Sequence, residues 1–454
     1  MPPVIKPDFI ERLLRVLYSA ALYLLAPVTV YHLIWRGFRQ PAYLQRWSER
    51  YALYGDPRHT RTLWVHAVSV GEVNAALPLV QALRRGRPDL RLLVTTITPT
   101  GSERVRALWK DEVEHVYLPY DLPGAVGRFL EHYRPSAALI METELWPNLL
   151  RECRRAGVKT VLVNGRISAR SHPRYMLARR FFRRVLNDVD RCCMQSEESA
   201  RRIIEIGAPR ERVTVTGSLK FDSLEIPGSV PDRGHNRVLR YFRIPPERPV
   251  IIAASTLRGE EEPVLDAFQR IRATWGNALL IIAPRKPERF VEAERLAQQR
   301  GWRVARRKEL PVDAEPRVDV VILDTIGELA QLYQIATLVF VGGSLADAGG
   351  HNILEPAVFG KPIVFGPHMH NFAEISRTFL ENRGAVQVHS ATGLETVLVD
   401  LLSDPVRRAS LGAAARALVE ANRGARQRSL AVITQLLPSD GSGTVLPFRA
   451  SEMR

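Results

Sequence analysis

Hydrophobic positions along the chain fall into short continuous runs, each ended by a glycine, proline or polar turn. Residues 63–68 (LWVHAV) have the length and composition of a strand buried on both faces. Residues 69–71 form a tight turn, and residues 72–84 place Val73, Leu77 and Val80 at helical spacing. The same unit recurs, with strand-length runs at 92–97, 116–118, 137–141, 158–164 and 191–195. Residues 217–249 combine several prolines and glycines with no sustained period, which predicts an interdomain connection. The alternation restarts with runs at 250–254, 278–283, 318–323, 338–341 and 362–365. Alternating β and α elements predict mostly parallel sheets covered by helices, here an α/β chain of two Rossmann-like domains facing a cleft. The predicted organisation is 1–50 as a membrane anchor with a basic flank, 51–216 and 250–437 as the two domains, and 438–454 as a disordered tail.

The N-terminal pattern is different in kind. Residues 16–35 (VLYSAALYLLAPVTVYHLIW) contain no Lys, Arg, Asp or Glu and are about as long as a membrane-crossing helix needs to be. Tyr18, Tyr23, Tyr31 and Trp35 sit toward its ends, where aromatic side chains seek the headgroup region. The run is too long for a signal peptide and has no small-residue cleavage site. It either spans the bilayer or, since Pro27 and His32 interrupt it, lies in the interface. Arg36, Arg39, Arg46, Arg50, Arg58 and Arg61 follow, which places the rest of the chain on the cytoplasmic side.

Composition agrees. Lys and Arg number 64 against 48 Asp and Glu, a net charge of +16. Such an excess suits nucleic acid or an anionic membrane surface, and the apolar segment selects the membrane. Arg179, Arg180, Arg183 and Arg184 around Phe181 and Phe182 read either as a site for anionic headgroups or as a solvated helix face. Cys153, Cys192 and Cys193 offer neither a disulfide framework nor metal-binding spacing.

In parallel α/β sheets, ligands bind beyond the carboxyl ends of the strands. Glu72 follows such an end; it is either a first-turn acid favoured by the helix dipole or a general base. Glu142 and Glu144 flank Thr143 after another strand and project to one side of an extended chain, unless one caps a helix beginning at Pro147. Lys220 is either a cation reaching an anionic group or a solvated linker residue. In the second half, Ser255-Thr256, Pro284-Arg285, Ile326-Gly327-Glu328, Gly342-Gly343-Ser344 and the segment 349–356 all follow strands or open helices. Glycines and free amides there suit phosphate, and Glu355 suits ribose hydroxyls. The dinucleotide fingerprint, the phosphate loop GxxxxGK[ST], HExxH and GxSxG are absent from the sequence.

Taken in order, HAVSVGE, TTITPTGSERV, VYLPYDLPG, METELWPN, NGRISARS, TVTGSLKFD, APRKPERF, FVGGSLADAGGHNILEPA and FGPHMHNF resemble the bacterial Kdo (3-deoxy-D-manno-oct-2-ulosonic acid) transferases over nearly the whole chain. The resemblance implies the GT-B glycosyltransferase fold, an N-terminal acceptor domain and a C-terminal donor domain. It implies inverting transfer of Kdo from CMP-Kdo to the tetraacylated lipid A precursor at the inner membrane, with no metal or other cofactor. Carried over, it makes Glu72 the proton acceptor and Glu142 and Lys220 transition-state stabilisers. Pro284, Arg285, Ile326, Gly327, Glu328, Asn352, Ile353, Leu354 and Glu355 become the CMP site. Leu257 and Ile326 depart from the family, which commonly has His and Met there. Two other readings are a GT-B enzyme with a different nucleotide sugar and a non-enzymatic membrane adaptor, which would need no such combination of Glu72, Glu142 and Lys220.

Overall fold

The computed structural model describes residues 9–222, 224 and 238–437. The predicted tail at 438–454 and most of the predicted connection lie outside the described residues. Two compact units result, one from residues 9–222 and 423–437, the other from 224 and 238–422.

The first unit is a seven-stranded sheet built from β1 (Leu63–His66), β2 (Leu92–Thr96), β3 (Glu114–Tyr117), β4 (Ala137–Met141), β5 (Lys159–Gly165), β6 (Arg191–Met194) and β7 (Val213–Val215). Its order is β3-β2-β1-β4-β5-β6-β7, and every pair is parallel. The alternation of side chains across the sheet divides the core into two layers. Leu63 and Val65 pack with Val73, Leu79 and Val80 of helix Val70–Gly86, while Trp64 packs with Phe129 and Tyr133 on the opposite face.

The second unit repeats the plan with β8 (Val250–Thr256), β9 (Leu279–Pro284), β10 (Val304–Arg306), β11 (Val320–Ile322), β12 (Leu338–Val341), β13 (Ile363–Phe365) and β14 (Val386–Gln387). The order is β10-β11-β9-β8-β12-β13-β14, again all parallel. This is the GT-B architecture of two Rossmann-like units.

The predicted end of the second domain at 437 is corrected. Helix Ala425–Thr434 belongs to the first unit, where Ala425, Leu430, Ile433 and Leu437 pack on the layer that holds Leu79 and Leu83. Asp222 fixes the return, accepting hydrogen bonds from the Gly424 and Arg426 amides at 2.9 and 2.6 Å. The start of the predicted connection moves as well, because 217–222 are folded into the first unit.

The N-terminal segment is a single helix, Phe9–Arg39, of 31 residues, and among the described residues it alone is long and apolar enough to cross a membrane. It does not stand apart from the first unit. Arg15 forms a buried ion pair with Asp188, Tyr18 donates to Asp121 at 3.0 Å, and Ser19 donates to Asn148 at 3.0 Å. Further along, the Gly124 amide donates to the Tyr23 hydroxyl at 3.2 Å, and Thr29 meets the Tyr51 hydroxyl at 3.2 Å. Leu22 packs against the core and Leu33 is buried, while many of the other apolar side chains, Leu24 and Phe38 at about 80% exposure among them, face outward. Two arginines of the predicted basic flank turn inward instead. Arg46 pairs with Glu49 and donates to the His115 carbonyl at 2.7 Å; Arg50 is buried, donates to the Ile97 carbonyl at 2.8 Å and lies over the Tyr117 ring.

Candidate active site

Where the strand order of a parallel sheet reverses, the loops leaving the two neighbouring carboxyl ends diverge and open a crevice. In the first unit that point lies between β1 and β4, so the loops carrying Glu72 and Glu142 flank it. Glu72 is the third residue of helix Val70–Gly86 and reaches back over its own loop. Its carboxylate accepts from the Val68 amide at 2.8 Å and from the Ser69 hydroxyl at 3.1 Å. Burial, reinforced by the charges of Glu142 and Glu144, pushes its pKa up to about 7 even though the Val68 and Ser69 hydrogen bonds oppose the shift. The carboxylate therefore closes the helix start and titrates in the range that a proton acceptor near neutral pH would need.

Glu142 stands at the end of β4 with φ 56°, a left-handed conformation unfavourable for a residue with a side chain. Two local ties hold it there. Its amide donates to the Val163 carbonyl at 2.8 Å, and Thr143 exchanges two hydrogen bonds with the Arg166 backbone at 2.6 and 2.9 Å. Glu144 accepts from the Trp146 indole at 2.7 Å, and burial raises its pKa. Neither acid caps helix Pro147–Arg155. Asp121 does, accepting from the Asn148 and Leu149 amides at 3.1 and 2.7 Å, which leaves both glutamates to the crevice.

Lys220 is no solvated linker residue. Its neighbours Leu219 and Phe221 are buried, and the Leu219 amide donates to the Asn164 side chain at 2.9 Å. Asn164, at the end of β5 with φ 58°, is itself fully buried. The lysine is thus held on a fastened loop at the carboxyl edge of the same sheet. Its placement depends on Asn164 and Asp222, which the sequence pattern did not single out.

In the second unit the order reverses between β8 and β12. The glycine loop after β12, expected to receive phosphate, is already filled from within the protein. The carboxylate of Glu260, fully buried, accepts from the amides of Leu257, Gly343, Ser344, Leu345 and Ala346 at 2.7–3.1 Å. A Cβ on Gly342 would lie 2.7 Å from the Ser255 carbonyl oxygen and 2.8 Å from Glu260, so this approach requires glycine. Glu260 follows a strand end and Gly259, and nothing in the sequence pattern alone marks it as the group that fills this loop.

The other predicted donor-side residues divide. Arg285 follows β9 and is exposed; its amide donates to the Thr256 carbonyl at 3.0 Å, and its side chain makes no hydrogen bond or ion pair among the described residues. Its charge acts on both Glu355 and His351, so these three groups lie near one another. Burial raises the Glu355 pKa and lowers that of His351. Asn352 donates to Glu355 at 3.1 Å and accepts from the Leu354 amide at 3.1 Å. Ile353 and Leu354 are fully buried core residues and Pro284 completes β9, so their side chains do not face a ligand. Glu328 is committed to Arg307, with contacts of 2.7 and 2.8 Å, beside an exposed Ile326 and Gly327 at φ 90°. That segment follows β11, two strands from β8. Among the described residues no group of three or more His, Cys, Asp or Glu is placed to hold a metal ion.

Two all-parallel seven-stranded units, with acidic residues at the switch point of the first and a histidine and glutamate after β12, near Arg285, in the second, make up a GT-B fold. The family model of 3-deoxy-D-manno-octulosonic-acid transferase (kdotransferase) matches residues 45–223. The 3-deoxy-D-manno-octulosonic acid transferase of Haemophilus influenzae is 37% identical over 433 residues, covering 93% of this chain and 99% of the relative. That of Bordetella pertussis is 37% identical over 437 residues, with 92% and 98% covered. In fold, the chain resembles a glycosyltransferase from Rickettsia africae, with a TM-score of 0.55 at 11% identity over 84% of this chain and 100% of that one. The chain belongs to the Kdo transferase family.

Proposed function

We propose that the protein transfers Kdo from CMP-Kdo to a hydroxyl of the tetraacylated lipid A precursor, with inversion at the anomeric carbon and without a metal at the reacting centre. The observation that carries this reading is Glu72, a buried carboxylate with its pKa near neutrality at the switch point of the first unit, in a chain of this family. A sugar hydroxyl is a weak nucleophile, so a base that takes its proton during attack is useful. The acceptor oxygen forms a bond to the anomeric carbon as the bond from that carbon to the CMP phosphate oxygen breaks. The proton passes to Glu72 and CMP departs with the electron pair. Lys220 and Arg285 supply positive charge for the phosphate and the Kdo carboxylate, while His351, Asn352 and Glu355 address the nucleoside. Glu142 stabilises positive charge developing at the anomeric carbon.

The site of action in this proposal is the cytoplasmic face of the bacterial inner membrane, with helix Phe9–Arg39 lying in the interface. The support is its run of polar contacts with the first unit from Arg15 to Thr29, which a bilayer-crossing orientation would carry into hydrocarbon. Incubating the protein with CMP-Kdo and the lipid precursor, while following CMP release and lipid mass, tests the donor and the acceptor together. Stoichiometric CMP and a lipid heavier by whole Kdo increments is the expected result. Neither product, from folded protein and verified substrates, would reject the assignment.

A further inference from the structure

The segment after Ile167 belongs to no part of the mechanism above. Helix His172–Leu177 ends at Ala178, and a second helix, Arg179–Asn187, departs at once. The apex between them exposes Leu177 to 92% and Met176 to 36%. Arg174, Arg179 and Arg180 surround it, all exposed and with no side-chain hydrogen bond or ion pair among the described residues. An apolar tip ringed by unpaired cations is unfavourable in water and complementary to an anionic headgroup layer over hydrocarbon.

The base of the apex is fixed, so this is a built feature. Tyr175 packs edge-on against Phe182 at 4.7 Å between ring centroids, and Phe181 packs against Tyr18 of the N-terminal helix at 5.7 Å. Arg183 pairs with Glu11 at 3.3 Å, and Arg15 pairs with Asp188. Arg183 fits neither reading of the arginine cluster, as a headgroup site or as a solvated helix face. Arg183 fastens the apex to the N-terminal helix, whereas Arg174, Arg179 and Arg180 are left to an outside partner. The apex directly adjoins the helix whose apolar side chains Phe9, Leu13, Val16 and Leu17 are exposed.

We propose that the Met176-Leu177 apex is a second membrane-insertion point, entering the acyl region of an anionic bilayer while Arg174, Arg179 and Arg180 engage lipid phosphates. It rests on the interfacial reading of the N-terminal helix and adds a fixed point that defines how the first unit meets the membrane.

The test uses the full chain and flotation with vesicles of phosphatidylglycerol and phosphatidylethanolamine, against phosphatidylcholine alone. Wild type is expected to float with the anionic vesicles and to lose affinity as salt rises. Replacing Arg174, Arg179 and Arg180 together by Ser should weaken partitioning at low salt at least tenfold, since each arginine near such a surface is worth about fivefold. Met176→Ser with Leu177→Asp should weaken it comparably, and a Leu177→Trp variant should lose its added fluorescence to lipids brominated in the acyl chain. Leu24→Asp with Val28→Asp on the N-terminal helix serves as the reference. If the apex variants float like wild type and the added Trp stays unquenched while the reference variant fails to float, the apex proposal is overturned and the helix reading stands. If the reference variant also floats like wild type, the interfacial reading falls with it.

Discussion

The position of Glu72 couples stability to pH in a direction opposite to that of most salt-bridged acids. Its pKa rises from 4.5 to about 7 on folding, so the folded chain holds this proton more tightly than the unfolded chain does. The protonated form is therefore the stable one. As pH rises from below 4.5 through 7, the fold loses up to about 3 kcal/mol at this single residue, the free-energy equivalent of that rise in pKa. Glu72→Gln removes the titration while its amide oxygen still accepts from the Val68 amide. The variant should unfold at nearly the wild-type denaturant midpoint at pH 4.5 and at a clearly higher one at pH 8. Its transfer rate should fall by about 10²- to 10⁴-fold, the usual contribution of a general base, with CMP binding retained. Wild-type kcat/KM should rise with pH through an apparent pKa near 7. Denaturant unfolding of both proteins at the two pH values, with transfer assayed across the same range, decides the matter. An equal difference in midpoint at pH 4.5 and 8 would refute the burial argument, and wild-type turnover in the variant would remove Glu72 from the chemistry.

Three further outcomes follow from the geometry. Glu260→Ala strands five amides and should destabilise the second unit by at least about 3 kcal/mol, measured by hydrogen exchange at β8 and β12; normal protection there would contradict its anchoring role. Arg285→Ala should weaken CMP binding about tenfold or more by calorimetry while leaving the unfolding midpoint unchanged, because the side chain makes no ion pair among the described residues. Ile433→Ala should lower the stability of the first unit by about 2–4 kcal/mol and leave the second untouched. Exchange that accelerates only in residues 250–422 would return helix Ala425–Thr434 to the second unit.

Much of the fold is legible in the sequence because strands of a doubly covered parallel sheet are apolar throughout. β8, with Val250, Ile251 and Ile252, needs no neighbour to identify it. The strands that escape are β7, β10 and β14, all edge strands of two or three residues with partly exposed side chains, whose pairing on one side alone leaves little apolar signature. Helix Ala425–Thr434 escapes differently. Its apolar stripe is plain, but periodicity carries no information about which sheet the stripe will cover. The site shows the same division. Glu72 and Glu142 are visible because they follow strands, and the switch point that brings them together depends on strand order. Glu260 is hidden because a glycine loop looks open until the group filling it is known, and Arg46 and Arg50 because a basic run gives no sign of which cations fold inward.

The return of the chain at Arg423 has a consequence for biosynthesis. About 200 residues separate the two contributions to the first unit, and at 5–20 residues per second they take roughly 10–40 s to synthesise. During that interval Leu79, Leu83 and their neighbours lack the cover that Leu430 and Ile433 later provide. The N-terminal helix emerges long before that cover does, so in the proposed interfacial placement the helix is available to the bilayer while the first unit is still open. Premature termination anywhere before Arg423 would leave this apolar face permanently uncapped and the product aggregation-prone.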